Sequence, residues 1–305
     1  MTFRIAPPAL GVALALTLAG CAAPGEGAAS DASVRIVAST NVYGDIAETI
    51  AGDSAHVTSI IHDAAQDPHE YEATPRDALA IAEADLVIVN GGGYDEFMTT
   101  LLDAHGGDAV VLDALELAGH ERGDTDHGGH DHGTNEHVWY DLAAMAALAD
   151  AIAEELGALV PADAAAFADR AAAFGAGIDE LRATASGIAA AHAGERYALT
   201  EPVPLLLLES AGLVDATPAA FSEAVEEGTD APPLLVRDVV ALVSDGSVAF
   251  LAYNAQTVGP QTEEVLDAAI AAGTPVVSFS ELLPEGEHYL DWMAANLAAV
   301  TAALA

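Results

Sequence analysis

The chain has 305 residues, about half of them apolar, which is enough for two ordinary domains or one large one with a packed core. Its formal net charge is −40, all eight basic residues are arginine, and lysine is absent. Such a surface repels nucleic acid and anionic lipid and attracts cations only in a general way, so no nucleic-acid partner is expected. Cys21 is the one cysteine, which excludes an intramolecular disulfide and a cysteine zinc site.

Residues 1–20 read as a signal peptide: Arg4 is followed by an apolar stretch from Ile5 to Ala19, too short for a membrane span. The segment Leu18-Ala19-Gly20-Cys21 resembles a bacterial lipobox. Cys21 is therefore expected to be lipidated and to anchor the chain on the outer side of the cytoplasmic membrane. Residues 21–33, with APGEGAASDAS, read as a flexible tether.

VRIVAS (34–39) then reads as a strand and NVYGDIAETIAG (41–52) as a helix closed by Gly52. VTSII (57–61) is a second strand. Thr74, Pro75 and Asp77 form a capping-box-like start for a helix reaching about Ala84. ADLVIVNG (84–91) and AVVLDA (109–114) are further strands, and Asp141 can cap a helix whose apolar face is Met145, Leu148, Ile152 and Leu156. Residues 161–194 carry no strand signal and predict one long helix, from Pro161 to a stop at Gly194, of roughly 50 Å. Gly175, Gly177 and Gly187 leave room for a kink, each costing about 1 kcal/mol relative to alanine. RYALT (196–200), VAFLAYN (248–254) and TPVVSFS (274–280) read as strands, VGPQTEEVLDAAIAAG as the helix between the last two, and YLDWMAANLAAVTAAL as a closing helix. The alternation predicts an α/β protein with mainly parallel sheets. Two lobes, 34–160 and 195–305, are expected to be joined by the long helix over 161–194.

Four residues at the ends of these elements could carry chemistry. His69 follows the VTSII strand in QDPHEYEATPR, His137 lies in NEHVWYD before the helix at Asp141, Glu201 follows RYALT, and Glu281 follows VVSFS. Open α/β sheets build their sites at the carboxyl ends of strands. Two imidazoles and two carboxylates facing across a cleft would suit zinc, manganese or ferrous iron. Spacing alone does not separate this set from a solvated loop histidine and ordinary strand-end glutamates. Imidazole binds metal only when neutral, so affinity is expected to fall as pH drops from about 7 to 5, mainly through His69 and His137.

A second feature is the glycine-rich segment HERGDTDHGGHDHG, with His120, His127, His130 and His132. Short histidine-rich tracts bind metal weakly, so it reads as an accessory metal-capturing loop. His56, His62, His105, His192 and His288 read as ordinary histidines.

The stretches DPHEYEATPRD, ADLVIVNGGGYDEFM and EHVWYDL, followed by TEPVPLLLLESAGL and YNAQTVGPQTEEVLDAA, resemble the metal-binding lipoproteins: the zinc and manganese substrate-binding proteins of bacterial ABC importers of the cluster A-I type. The resemblance runs over nearly all of the chain after the tether. It implies two α/β lobes bridged by a long rigid helix, with the metal held between them by His69, His137, Glu201 and Glu281. The chain departs from the family after Glu201, where PVPLLLL replaces an aromatic segment. The resemblance implies a monomeric, non-catalytic carrier that meets a permease and its ATPase at the membrane. Stiffening by Pro68 and Pro75 and the neighbouring Asp67, Glu70 and Glu72 suit a metal-binding loop, and Asp67 could orient an imidazole, whereas Asp141 reads as a plain helix cap. Two carboxylates lean toward Mn²⁺ and the histidine-rich loop toward Zn²⁺, so the cargo stays open between them. Alternatives are an extracellular metal-dependent hydrolase, against which HExxH is absent and four ligands close the site, and a siderophore-binding lipoprotein, which would need more basic residues.

Overall fold

The structure is a computed structural model that describes residues 1–2, 33–63, 66, 68–69, 71–119 and 135–305. Cys21, Asp67 and the histidine-rich segment with His120, His127, His130 and His132 lie outside the described residues. None of the described helices is long and apolar enough to cross a membrane.

From the N-terminus the elements are β1 (Val34–Thr40), α1 (Asn41–Ala51), β2 (Ala55–Ile61), α2 (Pro75–Ala82), β3 (Leu86–Val89), α3 (Glu96–His105), β4 (Val110–Asp113), α4 (Ala114–Leu117), α5 (Leu142–Leu159) and α6 (Ala164–His192). There follow β5 (Arg196–Leu199), α7 (Leu205–Ser210), β6 (Val214–Asp215), α8 (Ala219–Glu226), α9 (Pro233–Ser244), β7 (Leu251–Asn254), α10 (Pro260–Ala272), β8 (Val276–Phe279) and α11 (Tyr289–Ala303). The predicted start of α2 is a complete capping box: Asp77 N donates to Thr74 Oγ1, and Thr74 N donates to Asp77 Oδ2.

Two four-stranded sheets form, ordered β2-β1-β3-β4 and β6-β5-β7-β8, and every pairing is parallel. The order is the same in both. In each, the chain crosses to the other side of the first strand after the second, so each sheet has a switch point beside its first strand, where open sheets form crevices. The strands β3 (LVIV) and β7 (LAYN) are buried at every position, as parallel strands covered by helices on both faces should be. The structure is thus the expected α/β fold of two parallel sheets with a long helix.

The long helix is uninterrupted from Ala164 to His192 and spans about 44 Å. It starts three residues later than predicted, because residues 161–163 form a turn. Its buried side chains are Phe167, Ala171, Phe174, Ile178, Leu181, Ala185 and Ile188. Steps of four and three alternate along that stripe, a coiled-coil-like seam. The glycines do not interrupt it. At Gly177 packing explains the residue: a Cβ there would lie 2.6 Å from Leu290 Cδ1 of α11. The helix is also more than a connector. One apolar cluster runs from Ile36, Val42 and Leu86 through Met145, Ile152, Phe174 and Ile178 to Leu199, Phe250, Phe279 and Trp292. Both sheets therefore share one core with α5, α6 and α11. The helices α7, α8 and α9 and the short strand β6 between Glu201 and Leu251 were not predicted.

Candidate metal centre

Each of the four sequence-selected residues lies just beyond a strand or at a turn on the sheets' carboxyl side. His69 follows β2, Glu201 stands two residues after β5, and Glu281 two residues after β8. His137 opens the short turn 138–140 that leads into α5.

The His137 ring is held from behind. Its backbone N–H and its Nδ1–H both donate to Asn135 Oδ1 at 2.9 Å. An amide oxygen only accepts, so the proton sits on Nδ1 and Nε2 keeps a bare lone pair, the tautomer a metal needs. Asn135 Nδ2 donates to Pro202 O at 2.9 Å, tying this loop to the residue after Glu201. The preceding residue is fixed too: Asn90 Nδ2 donates to Glu136 O at 2.9 Å, and Asn90 Oδ1 accepts from Tyr43 OH.

Beneath the two imidazoles stands Tyr94, edge-on to His69 with ring centroids 5.1 Å apart and 6.0 Å from His137. It is positioned by a tight turn after β3. Asn90 N and Gly91 N donate to the Asp95 carboxylate at 2.6 and 3.1 Å, and Gly91 has φ +83°. A side chain at Gly91 would be strained by that φ and would collide with Asp113 Oδ1, 2.3 Å from an added Cβ. Tyr94 OH donates to Glu281 Oε2 at 3.3 Å.

The two carboxylates meet across Asn254, the last residue of β7. Its Nδ2 donates to Glu201 Oε2 and, at 2.8 Å, to Glu281 Oε1. Thr257 Oγ1 also lies 3.5 Å from Glu281 Oε1. Glu201 is 3% exposed, Glu281 6% and His137 1%. Glu201 Oε1 is buried with no hydrogen-bond partner among the described residues. A buried acceptor in that state carries a desolvation cost that a cation would remove.

Two carboxylates that the sequence did not single out stand beside the imidazoles. Glu136 Oε1 lies 3.4 Å from His69 Nε2, and one ligand atom each from His69, Glu136 and His137 fall within 4.8 Å of one another, a group that does not take in Glu201 or Glu281. Glu226, the last residue of α8, puts Oε1 3.6 Å from His137 Nε2. Glu136 could have been noticed as the neighbour of His137 in NEHVWYD; Glu226 sits in AVEEG, where no pattern marks it.

Electrostatics follow from crowding four carboxylates into a poorly solvated cleft. Burial pushes the Glu136 carboxyl up to about 7, and the Glu281 and Asp95 charges add to it. Burial raises Glu201 to about 8, opposed by the Asn254 hydrogen bond and reinforced by Glu281 and Glu226. Glu226 also rises to about 8, by burial first and then by Glu136 and Glu281. Burial, with a smaller push from His69, takes His137 down to about 3. Among the described residues the arginines with ion pairs find them elsewhere: Arg35 with Glu83, Arg182 with Asp179 and Arg237 with Asp238.

The sequence model of the family ZnuA, zinc-uptake complex component A, periplasmic, matches residues 36–303. This chain belongs to that family. Among relatives, the manganese-binding lipoprotein MntA of Halalkalibacterium halodurans is 32% identical over 149 residues, 47% of this chain and 46% of its own length. The manganese ABC transporter substrate-binding lipoprotein PsaA of Streptococcus mitis is 31% identical over 159 residues, 48% of each chain. The chain thus spans about half the length of the curated relatives it matches. The fold of the ZnuA family member extends to solved structures: the substrate-binding protein FpvC of Pseudomonas aeruginosa, in complex with Mn²⁺, superposes with TM-score 0.69 at 23% identity, covering 90% of this chain and 98% of that one.

Proposed function

We propose that this protein captures a divalent transition metal, Mn²⁺ or Zn²⁺, outside the cytoplasmic membrane and delivers it to the permease and ATPase of an ABC importer. His69, His137, Glu201 and Glu281 act as the ligands, and Cys21 carries the lipid anchor. The observation that carries this reading is the pairing of His137 and Asn135. The amide fixes the imidazole with Nε2 bare, 1% exposed and beside His69 and a set of carboxylates, which is a ligand tautomer prepared before any metal arrives. The family description and the names of the manganese-binding relatives support the same cargo class. The protein is a carrier: it holds the ion and lets it go unchanged.

The test is calorimetric metal titration of His69→Ala, His137→Ala, Glu201→Ala and Glu281→Ala, with elemental analysis of the protein as purified. Severe loss of Mn²⁺ and Zn²⁺ binding in both histidine variants is expected. Wild-type affinity in either of them overturns the site. Wild-type affinity in Glu281→Ala alone moves the fourth ligand elsewhere. Release of Cys21→Ser from the membrane fraction tests the anchor.

A further inference from the structure

The described residues bring one cluster of metal-ligand type together, and it includes a residue outside the four-ligand set. One ligand atom each from His69, Glu136 and His137 lie within 4.8 Å of one another. All three residues come from the chain before the long helix. Glu201 and Glu281 stand outside the cluster, engaged by the Asn254 amide. Glu136 is well placed for a ligand. Its carbonyl accepts from Asn90 Nδ2 at 2.9 Å and from Val138 N at 2.8 Å. Its Cβ lies 3.7 Å from where a Cβ of Gly92 would stand, so the stem packs on the turn after β3 that also positions Tyr94. Its Oε1 reaches to 3.4 Å from His69 Nε2. Two donors each about 2.0–2.1 Å from one tetrahedral ion lie about 3.3–3.4 Å apart, whereas octahedral neighbours lie about 3.0 Å apart. The observed spacing is the tetrahedral one.

Building on the metal-carrier reading, we infer that Glu136 is a metal ligand and that His69, Glu136 and His137 form a three-donor site able to take Zn²⁺ without Glu201 or Glu281. The donor types fit. Zinc accepts two imidazoles and one carboxylate, with its fourth position left to water or a further group. His137 contributes a bare Nε2, because Asn135 holds the proton on Nδ1. Side-chain exposure falls from 29% at His69 to 19% at Glu136 and 1% at His137, so the donors line a way in from solvent. An incoming ion meets the outer pair first and sheds its water toward the buried imidazole. A site spread over both sheets would need all its donors in place at once. Three donors from one half of the chain let capture come first, and the carboxylates after the long helix then act on an ion already held.

The experiment is calorimetric Zn²⁺ titration of the full chain, of Glu136→Gln, of the Glu201→Ala, Glu281→Ala double variant and of the triple variant that combines them. It is paired with visible absorption after loading with Co²⁺, whose bands report the number and kind of ligands. Glu136→Gln keeps the side chain's shape and a hydrogen-bond acceptor but loses the anionic donor. It is expected to weaken Zn²⁺ binding by more than the about 10–100-fold typical of an orienting partner, and to change the Co²⁺ bands. The double variant is expected to bind one Zn²⁺ per chain with reduced affinity, and the triple variant to bind no measurable Zn²⁺. Wild-type affinity in Glu136→Gln overturns the inference. Weaker binding with unchanged Co²⁺ bands overturns it too, since Glu136 then only orients His69. So does a double variant that unfolds cooperatively yet binds no Zn²⁺, because the three donors would not suffice. Should the double variant fail to fold, Glu136→Gln and its Co²⁺ spectrum decide alone. None of these outcomes touches the carrier reading, which stands or falls on the His69 and His137 variants.

Discussion

The side-chain amide of Asn41, the first residue of α1, pairs with both backbone groups of Leu283: Nδ2 donates to Leu283 O at 2.8 Å, and Leu283 N donates to Asn41 Oδ1 at 3.0 Å. The contact joins positions 242 residues apart and copies a step of β-ladder. Around it, Gln256 Oε1 accepts from Glu281 N at 2.5 Å and Leu282 N at 2.8 Å, and Tyr140 OH donates to Ser280 O at 2.9 Å. Glu281 therefore belongs by chain order to the second sheet but rides on a segment fastened to both. By chain order the two histidines belong with the first sheet and the two carboxylates with the second, while the packing of the Glu281 segment joins both.

Replacing Asn41 with alanine should show this. Leu283 would be left with an unpaired carbonyl and N–H, a loss of about 1–3 kcal/mol. We expect a lower melting temperature and weaker metal binding together, because the Glu281 segment loosens. Thermal denaturation and calorimetry of the same sample check it. A destabilised variant that binds metal at wild-type strength would separate the clamp from the site.

Leu282 gives a second test. It is buried in a cluster made otherwise of residues from the first sheet and its helices, among them Val37, Ile60, Ile81 and Met98. Leu282→Ala should therefore cost about 2–5 kcal/mol, as a core truncation does. Denaturant unfolding measures this, and a cost well below that range would mean the segment is only resting on the surface.

Much of this architecture could be read from the residues because the signals are local. The Thr74-Pro75-Asp77 start, the Asp141 cap and the apolar runs of β1, β3, β7 and β8 each depend on a few neighbouring side chains. Asp141 Oδ1 indeed accepts from Ala143 N and Ala144 N, which makes it the helix cap it was read to be. The stretch between Glu201 and Leu251 was opaque for the opposite reason. The strand β6 has two residues, and α7 and α8 are short and hydrophobic, so their identity is settled by contacts with the rest of the core. The same applies to the site. His69, His137, Glu201 and Glu281 could be singled out because motifs surround them, while Glu226 and Asn254 come near them only through the packing of α8 and β7. His288, read as ordinary, pairs with Asp45 at 2.6 Å, and Asp45 Oδ2 also accepts from Tyr289 N at the start of α11.

Asn135 has no role as a ligand, yet it sets the His137 tautomer and links the loop to Pro202. Asn135→Ala should weaken metal binding by about 10–100-fold, the usual range for loss of an orienting partner, with little loss of stability. Asn135→Asp keeps the acceptor and should restore most of the affinity. Titration of the two variants decides it, and equal affinity in both would show that the amide oxygen does not orient the ring.

For His137 the pH dependence departs from what was expected of the histidines. His137 is held down to about 3, so it remains neutral well below pH 5 and cannot drive a loss of affinity between pH 7 and 5. The competing protons sit on Glu136, raised to about 7, and on Glu201 and Glu226, each raised to about 8. A cation must displace them, so affinity should climb from about pH 6 to pH 8 with release of protons, measurable by calorimetry in buffers of different ionisation enthalpy. The metal-free protein should respond with the opposite sign. An unfolded glutamate titrates near 4.3, while these three hold their protons to about 7 or 8, so between those values the native state binds more protons than the unfolded one. Their stabilising contribution is complete below about pH 4 and is lost as pH rises through 7 and 8. The melting temperature of the metal-free protein should thus fall from about pH 5 to pH 8, while added metal reverses the trend by binding the native state. The overall charge of −40 pushes in the same direction, so the site's share needs a variant that cannot titrate. Glu201→Gln keeps an acceptor for Asn254 and should flatten the slope. A slope identical to wild type in that variant would assign the effect to the surface and leave the buried carboxylates without a part in it.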